Sequence, residues 1–496
     1  MTETGADPEV VSRANDGPLA TWDGRSVSER TVLIFATHVS PTNSVGALRI
    51  DKLCRYLPEF GWRPIVVTVA ESSRTPQRDP VTDLLFGRLD TTAPAERYEV
   101  HSVWGPNPIQ LIGTVRRRLS SLAACSKLPA ATEQSTTIGA SESPLTDALA
   151  LCSRRRIWAQ RIAGTMVPDE YAAWIPGAVV RGIQIARRSG TTAILTSYPF
   201  GSGAVAATMV SIATRLPLVV DFRDAWMDWT PALSRGLRRQ ALERRLEHSV
   251  LSRSSGVTAV NSAILHKETR VGTGSKATAV VPQGWDPAEA ADVDAASVRR
   301  VAHGHAEKGC LHIVHAGSVD PRLSDPTGFL RALLAATEDV GRPTIRVTFV
   351  GRKSMDVEAL SRRMGLERMV ESRPYTARSE VLRILAQADL LLLIKNQPGE
   401  HWITGKIWDY LTVRRPILGV IDPASAAADL IRSTQMGWVA APWDERTLSA
   451  TLRSIVDRFR RTGEVHIEPS VDELKKISAP EAARAMANVF DAVSHS

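Results

Sequence analysis

Cysteine is scarce in this chain, with four residues among 496. Cys54, Cys125, Cys152 and Cys310 are scattered, without a C-x-x-C pair or paired histidines at metal-ligand spacing. Because disulfide scaffolds and zinc sites need clustered ligands, both classes are disfavoured. We expect reduced thiols in a cytoplasmic protein without a zinc site.

Long apolar runs are also missing. No run reaches the roughly 18 uncharged apolar residues of a membrane span, and the nearest candidate, 203–214, is too short and too polar. Residues 1–30 are rich in Asp, Glu, Gly, Ser and Thr and lack the apolar core of a secretory signal. We expect a disordered tail at 1–30 and a protein that does not span a membrane.

Acidic residues are in the minority, since 53 Asp and Glu stand against 61 Lys and Arg and give a net charge of +8. Arginines cluster at 116–118, at 154–156 and between 235 and 245. Such a field attracts nucleic acid, anionic lipid or phosphorylated substrates. Because aromatic residues do not interleave with the arginines, nucleic acid is disfavoured. A phosphate-bearing substrate or peripheral contact with the inner face of an anionic membrane is favoured, and a plain solvated surface is the alternative.

Two nucleotide signatures are absent from the sequence. Neither G-x-x-x-x-G-K-[ST] nor G-x-G-x-x-G with a following acidic residue occurs. ATP hydrolysis and nicotinamide chemistry are therefore disfavoured.

Short apolar runs alternate with helix-length amphipathic segments along most of the chain. The runs predict strands at 31–37, 63–69, 193–197, 217–221, 257–260, 277–281, 311–315, 345–350, 388–394 and 416–421. The longer segments predict helices at 48–60, 171–188, 235–251, 327–336, 358–364, 379–387 and 480–493. Apolar runs of this length are typical of parallel strands covered on both faces. Two successive β-α-β sets predict an α/β protein with two doubly wound, Rossmann-like domains facing across a cleft.

Three segments interrupt this pattern. The stretch at 286–308 is rich in Ala, Asp and Glu and predicts the break between a first domain at 31–288 and a second at 308–470. A low-complexity segment at about 113–150 predicts a mobile insertion. The basic segment 109–119 that overlaps its start fits an amphipathic helix on a membrane surface or an ordinary surface helix.

The segment 405–413, Gly-Lys-Ile-Trp-Asp-Tyr-Leu-Thr-Val, is the most informative motif. It lies between two predicted strands, and Lys406 falls in the first turn of the predicted helix, where unpaired N–H groups favour an anion. A cation there opposes the helix dipole by about 0.3–1 kcal/mol. A bound phosphate would account for this arrangement, and a solvated surface lysine is the alternative.

Polar or glycine-bearing segments follow other predicted strands, where ligands of open parallel sheets bind. In the first half these segments are 38–49, 197–203 and 221–226. A turn with a helix cap is the alternative for 38–49, and a structural Asp221–Arg223 pair is the alternative for 221–226. In the second half, four cations around one rim would suit a diphosphate and stabilise its departure, namely Arg322, Arg352, Lys353 and Lys406.

These residues, in this order, resemble the large family of retaining GT-B glycosyltransferases (family 4-like) that includes exopolysaccharide and cell-wall enzymes. The resemblance spans about residues 31–460 and rests on 46–49, 57–62, 221–226, 388–393, 405–411 and Pro416. It implies a first domain that receives the acceptor, a second domain that binds a nucleotide-activated sugar, and a last helix, about 480–493, that packs back on the first domain.

The resemblance also implies roles for individual residues. Asp409 matches the second acid of the family's E-x7-E motif and is expected to bind the donor ribose. His401 stands where the first acid belongs, with Glu400 one place early, so sugar contact falls to Glu400, His401 or the backbone of this loop. The expected catalytic residues are Lys406, Arg322 and Asp224. The expected donor-binding residues are Gly317, Ser318, Arg352, Lys353, Tyr375, Glu400, His401, Thr404, Gly405 and Asp409, and the expected acceptor-binding residues are Asn43, Ser44, Gly46, Arg49 and Arg223.

The reaction implied is transfer of a sugar from a UDP- or GDP-sugar to a hydroxyl of a glycan, glycolipid or polyprenyl-linked acceptor, with retention of anomeric configuration, as in polysaccharide biosynthesis. It needs no metal, cofactor or protein nucleophile, because positioning and neutralisation of the diphosphate supply the catalysis. Two alternatives stay open. One is a nucleotide-sugar epimerase on the same fold, and the other is a non-catalytic partner subunit of a glycan-assembly complex.

Overall fold

The computed structural model describes residues 30–39, 45–70, 90–91, 98–105, 166–228, 236–272, 274, 276–293, 309–337, 344–351, 355–399 and 403–495. The predicted tail up to residue 29, the basic segment 109–119 and the insertion at about 113–150 lie outside these ranges. Within the described ranges, no helix combines the length and the apolar character needed to cross a membrane.

The first sheet has eight strands, β1 (Arg30–Phe35), β2 (Trp62–Val69), β3 (Asp90–Thr91), β4 (Glu99–Val103), β5 (Thr191–Tyr198), β6 (Leu218–Phe222), β7 (Gly256–Ala259) and β8 (Ala277–Val280). Their order is β3-β4-β2-β1-β5-β6-β7-β8, and every neighbouring pair is parallel except β3–β4. Nearly every side chain of β1, β5 and β6 is buried. Burial on both faces of the sheet explains why these strands read as continuous apolar runs.

Five α-helices accompany this sheet within the described ranges, α1 (Val45–Tyr56), α2 (Ile175–Arg188), α3 (Gly201–Thr214), α4 (Leu237–Arg253) and α5 (Ser262–Thr269). Short 3-10 helices lie at Leu57–Phe60, Ala172–Trp174 and Trp226–Asp228. Individual residues fix where some of these helices begin or end. The Asn261 side chain accepts a hydrogen bond from the Ile264 N–H at the start of α5, and Gly61, at φ +74°, ends the helical run after α1.

The second sheet consists of β9 (Cys310–Ala316), β10 (Thr344–Val350), β11 (Val370–Arg373), β12 (Leu390–Ile394), β13 (Ile417–Val420) and β14 (Gly437–Ala440). Its order is β11-β10-β9-β12-β13-β14, with every pair parallel. The helices that follow its strands are α6 (Thr327–Thr337), α7 (Val357–Arg363), α8 (Arg378–Ala386), α9 (Lys406–Val413), α10 (Ala426–Ser433) and α11 (Glu445–Thr462). The strand order 3-2-1-4-5-6 is that of a doubly wound Rossmann sheet, and the first sheet contains it as β4-β2-β1-β5-β6-β7.

The chain crosses between the two domains at two adjacent places, Gly284–Trp285 and Ser478–Ala479. Trp285 and Ser478 form a parallel bridge, and the Ala479 N–H donates to the Trp285 carbonyl at 2.8 Å. After a short helix, α12 (Val471–Lys476), the second crossing leads into α13 (Ala479–Ser494), which packs against α1 and β8 of the first domain. Trp285 packs in the hydrophobic cluster of the second domain, so the first crossing lies just before the break predicted at 286–308.

The predicted fold class, two doubly wound α/β domains, is confirmed. Strands β3, β4, β11 and β14 were not predicted from the sequence. Glu99–Val103 and Val370–Arg373 contain more polar than apolar residues, and Asp90–Thr91 and Gly437–Ala440 are only two and four residues long. These strands lie at or near a sheet edge, where burial is less complete and the apolar signal is correspondingly weak.

Candidate active site

Strands β9 and β12 separate near their carboxyl ends, at the point where the strand order of the second sheet reverses. They pair through Ile313–Leu390 and Val314–Leu391. Beyond these pairs the hydroxyl of Tyr410, from α9, bridges the two strands by hydrogen bonds. It accepts from the Ala316 N–H at 3.0 Å and donates to the Leu392 carbonyl at 3.0 Å. This tyrosine anchors α9 at the switch point, where doubly wound sheets bind their ligands.

Lys406, the first residue of α9, extends over the carboxyl end of β9. Its ammonium donates to His315 Nε2 at 3.1 Å and lies 3.5 Å from the Ser318 carbonyl oxygen. The side chain passes over Gly317, where a Cβ atom would overlap Lys406 Cε and approach Nζ to 2.7 Å. Gly317 also has φ +120°, which favours glycine. The structure therefore brings together three of the predicted site residues, Lys406, Gly317 and Ser318.

Two lysines lie close together at this edge of the sheet. Burial lowers the pKa of Lys406 to about 8, and the charge of Lys395, just after β12, acts in the same direction. Burial likewise lowers the pKa of Lys395 to about 8, opposed by the negative charge of Asp224. Two partly desolvated ammonium groups disfavour each other's charge, and an anion bound between them would relieve this repulsion.

The first domain contributes Asp224, whose charge acts on Lys395 of the second domain, and the space between these two residues is called the crevice below. The Asp224 side chain is exposed to solvent. The surrounding protein nevertheless removes part of its hydration, which raises the pKa of Asp224, whereas the charges of Arg223 and Lys395 lower that pKa. At Gly405, before α9, a Cβ atom would collide with Val45 at the start of α1. The amino-terminal ends of α1 and α9 therefore meet across the interface between the domains.

Asp221 pairs with Arg49 rather than with Arg223, which corrects the alternative derived from sequence. Arg49 is 1% exposed, and its Nε and Nη2 donate to the two oxygens of Asp221 at 2.8 and 2.7 Å. Its remaining hydrogen bonds go to the carbonyl oxygens of Val281 and Pro282. Burial alone would raise the pKa of Asp221, but the Arg49 charge and hydrogen bonds hold it below its ordinary value. The acceptor-binding role predicted for Arg49 does not fit this enclosed position.

Arg223 lies against the backbone of Gly46, so two of the predicted acceptor-side residues are in contact. Its Nε and Nη2 donate to the carbonyl oxygens of Tyr198 and Pro199 at 3.1 and 2.8 Å. A Cβ atom at position 46 would overlap the guanidinium. Burial lowers the pKa of Arg223 to about 10. Glycine at 46 therefore allows α1 to begin directly over this cation.

Asp409, the predicted ribose ligand, is held by Arg378 of α8. The Arg378 Nε and Nη2 lie 3.0 and 2.7 Å from Asp409 Oδ1, and Nη1 and Nη2 donate to Glu289 at 2.7 and 2.9 Å. Burial raises the pKa of Asp409, and the Arg378 charge opposes this shift. Glu289 belongs to residues 287–293, a helical segment that follows the first crossing. The carboxylate of Asp409 is therefore linked to the connection between the domains.

Other predicted residues lie around this edge. The hydroxyl of Thr404, two residues before Lys406, is buried and has no hydrogen-bond partner within the described part of the chain. Arg322 is exposed in the turn after β9, where its backbone N–H donates to Asp320, and Tyr375, just after β11, is 59% exposed. Asn43, Ser44, Arg352, Lys353, Glu400 and His401 lie outside the described residues and stay predictions.

Sequence reasoning missed three residues of this site, His315, Lys395 and Arg378. Lys395 directly follows a predicted strand, and the same strand-end criterion that selected the other residues would have found it. His315 lies within an apolar strand and Arg378 at the start of an ordinary helix, so neither carries a local signal.

No protein-family profile and no curated protein matches this chain, but solved structures do. Alr3699/HepE from Anabaena, in complex with UDP and glucose, aligns with a TM-score of 0.55 and 14% identity over 93% of this chain and 100% of that chain. Sucrose-phosphate synthase from Thermosynechococcus elongatus aligns with a TM-score of 0.51 and 12% identity over 94% of each. The chain has the GT-B fold.

A third match is the N-terminal domain of trehalose-6-phosphate phosphatase from Candida albicans. It aligns with a TM-score of 0.59 and 10% identity over 95% of this chain and 99% of that chain. These structures match both domains over nearly the whole chain. At such low identity the GT-B likeness establishes the fold, and the activity has to be argued from the site itself.

Proposed function

We propose that this protein is a glycosyltransferase that moves a sugar from a nucleoside-diphosphate sugar to an acceptor hydroxyl, with retention of configuration. The observation that carries the proposal is the position of Lys406. Its ammonium lies at the switch point of the second sheet, beside Lys395 and at the amino-terminal end of α9. Partly desolvated cations and helix N–H groups together suit a diphosphate. Solved structures of the similarly folded HepE contain UDP and UDP-glucose.

In the proposed reaction the chain's own groups act mainly by charge and position. Lys406 and Lys395 neutralise the negative charge that grows on the departing diphosphate, and the neighbouring N–H groups of α9 bind its oxygens. Because the leaving phosphate oxygen takes the acceptor proton on the same face, no protein nucleophile is needed. Asp224, on the first-domain side, would orient a sugar or acceptor hydroxyl as a hydrogen-bond acceptor.

Binding of UDP and GDP, measured by titration calorimetry, tests the donor site. Lys406→Ala is expected to weaken the preferred nucleotide by about ten- to a hundredfold, the effect of one lost hydrogen bond to a charged group. Lys476→Ala, at an exposed lysine of α12 that pairs with Glu473, is the matched control and should bind normally. If the unaltered protein bound neither nucleotide, the non-catalytic subunit would become the better explanation.

The acceptor and the absence of a metal requirement are parts of the same proposal. A glycan or lipid-linked acceptor is supported by the net charge of +8, which favours contact with anionic surfaces. Because lysines supply the positive charge, sugar transfer is expected to persist in EDTA. Products formed with and without an acceptor separate transfer from epimerisation, since an epimerase alters the donor alone.

A further inference from the structure

The His315 imidazole, near the carboxyl end of β9, is fully buried, 0% exposed, and reaches the neighbouring strand β12. Its Nδ1 lies 2.9 Å from the Leu392 carbonyl oxygen. Because a carbonyl oxygen can only accept, Nδ1 must carry a proton, and in a neutral ring Nε2 then carries the lone pair. The ring is also fixed by Phe349, whose centroid lies 5.6 Å away. His315 therefore presents an oriented acceptor to the Lys406 ammonium, 3.1 Å from Nε2.

Burial disfavours a positive charge on this ring. It lowers the pKa of His315 well below its ordinary value and the charge of Lys406 acts in the same direction, while the backbone carbonyls of Leu392 and Ser318 oppose the shift. The charged group that acts on Lys406 is Lys395, and Asp224 in turn acts on Lys395. A carboxylate in place of His315 would fix the lysine equally well but would cancel its charge. A neutral imidazole fixes the ammonium and leaves the full positive charge for an incoming anion.

The Lys406 ammonium has more N–H donors than its contacts with His315 and Ser318 use. An ammonium has three N–H donors. His315 accepts from one, and the Ser318 carbonyl, at 3.5 Å, accepts at most from a second. Gly317 lies directly beneath the side chain and limits its other positions. At least one N–H is therefore left for a ligand.

We propose that His315 is a positioning residue that holds the Lys406 ammonium at the diphosphate subsite. This role rests on the proposed donor site, and His315 itself does not touch the ligand. Fixing a flexible lysine before the ligand arrives reduces the side-chain entropy lost on binding. Losing His315 should therefore weaken diphosphate binding through Lys406 alone.

A matched set of variants tests this role by titration with UDP. His315→Leu removes the acceptor without leaving the Leu392 carbonyl unpaired, because the Tyr410 hydroxyl still donates to it. His315→Gln can reach Lys406 with its amide oxygen. We expect about tenfold weaker UDP binding for His315→Leu and recovery of most of the affinity for His315→Gln. In a Lys406→Ala background, His315→Leu should have almost no further effect, whereas a general packing defect would weaken binding equally in both backgrounds.

A second measurement does not depend on nucleotide binding. The pH at which Lys406 becomes half-maximally reactive toward an acetylating reagent, followed by mass spectrometry, reports its protonation without any ligand. Loss of the acceptor disfavours the ammonium, so this pH should fall in His315→Leu and be preserved in His315→Gln. If His315→Leu does not fold, His315→Asn replaces it, since that amide can serve Leu392 but is too short for Lys406.

The two measurements separate the two proposals. If UDP does not bind the unaltered protein but Lys406 still titrates at lower pH in His315→Leu, the donor site fails and the positioning role stands. If the titration of Lys406 and the affinity for UDP are both unchanged in His315→Leu, the positioning role is overturned.

Discussion

Arg49 and Asp221 form a buried ion pair beneath α1, with side chains 1% and 0% exposed. The Asp221 oxygens also accept from the hydroxyls of Ser197 and Thr258, each at 2.8 Å. Such a pair tolerates the low dielectric only because every oxygen is hydrogen-bonded. We expect Arg49→Met to lower the free energy of unfolding by about 3–5 kcal/mol, since it leaves a buried carboxylate without its counter-charge.

An exposed pair provides the control for Arg49→Met. Arg63 lies 2.9 Å from Glu99 of the same sheet, with side chains 49% and 38% exposed. Arg63→Met should cost less than about 1 kcal/mol, because water screens that pair. Urea unfolding of both variants measures these two changes in the free energy of unfolding. Equal decreases would show that Arg49 does not stabilise the domain through its buried charge.

Glu247 and Glu268 form a second buried charge cluster, between α4 and α5, with 4% and 0% exposure. Glu268 Oε1 accepts from the Trp226 N–H at 3.0 Å, whereas Oε2 has no partner among the described residues. Burial raises the pKa of both carboxyls, and the charge of Glu247 raises that of Glu268 further. A proton retained by the pair would satisfy the unpaired oxygen.

The raised pKa of Glu268 makes stability depend on pH. The folded protein keeps this proton at pH values where the unfolded chain, with an ordinary pKa of about 4.3, has lost it. Stability is therefore lost as the pH rises from about 4.3 toward the folded-state value, by up to about 1.4 kcal/mol per unit. Glu268→Gln cannot titrate, so we expect it to gain stability relative to the unaltered protein between pH 5 and pH 8.

Urea midpoints at pH 5, 6, 7 and 8 test the behaviour of Glu268→Gln. Glu445→Gln is the control, because Glu445 is 56% exposed on α11 and its substitution should leave the pH dependence of stability unchanged. If the difference in urea midpoint between Glu268→Gln and the unaltered protein were the same at all four pH values, Glu247 and Glu268 would not share a retained proton.

At the residue scale, the sequence predicted where a side chain lies in the fold better than it predicted which residue that side chain pairs with. The Gly405–Val413 motif placed Lys406 in the first helical turn, where the structure has it. The partner of Asp221 was sought two residues away, but Arg49 lies 172 positions earlier in the chain and reaches it only through the stacking of α1 on the sheet. Long-range pairs of this kind leave no local pattern, and the same is true of His315 and Lys406, which are 91 positions apart.

Helix α13 is the element that ties the end of the chain to the first domain. Phe490 is fully buried, and its ring centroid lies 5.0 Å from that of Trp62 in β2. We expect Phe490→Ala to lower the free energy of unfolding by about 3–5 kcal/mol, since it leaves a cavity between helix and sheet. Asn488→Ala, at an exposed site of the same helix, should stay within about 0.5 kcal/mol. Urea unfolding followed by tryptophan fluorescence measures both, and a small loss for Phe490→Ala would mean that the helix is not part of the first domain's core.

Two helices were predicted closely from sequence, whereas α11 was missed although it buries Leu448, Leu452, Ile455, Val456 and Phe459. The helices at Leu237–Arg253 and Ala479–Ser494 lie within two residues of their predicted bounds. Helix α3, Gly201–Thr214, was missed as a helix because it is apolar on nearly every side and small residues dominate it. Its burial between other elements removes the amphipathic period on which such predictions depend.

For the molecule as a whole, the relative position of the two domains depends on the two crossings, at Gly284–Trp285 and Ser478–Ala479. Gly284 has φ +77°, and a Cβ atom there would lie 2.8 Å from the backbone of Ala479 in the other crossing. Its carbonyl oxygen also accepts from the buried ammonium of Lys52 at 2.7 Å. A side chain at position 284 would therefore push the two crossings apart and shift α1 relative to α9.

Gly463→Ala offers a control with nearly the same backbone, because Gly463 has φ +76° and open space around its would-be Cβ atom. Both substitutions place an alanine at positive φ, which costs about 1–2 kcal/mol. Only Gly284→Ala adds the collision with Ala479. We expect Gly284→Ala to lose more stability than Gly463→Ala and also to bind UDP more weakly, since the donor crevice lies between domains that the crossings hold in place. Urea unfolding and UDP calorimetry on both variants provide the comparison. Equal stabilities with unchanged UDP affinity would mean that the crossings do not set the geometry of the crevice.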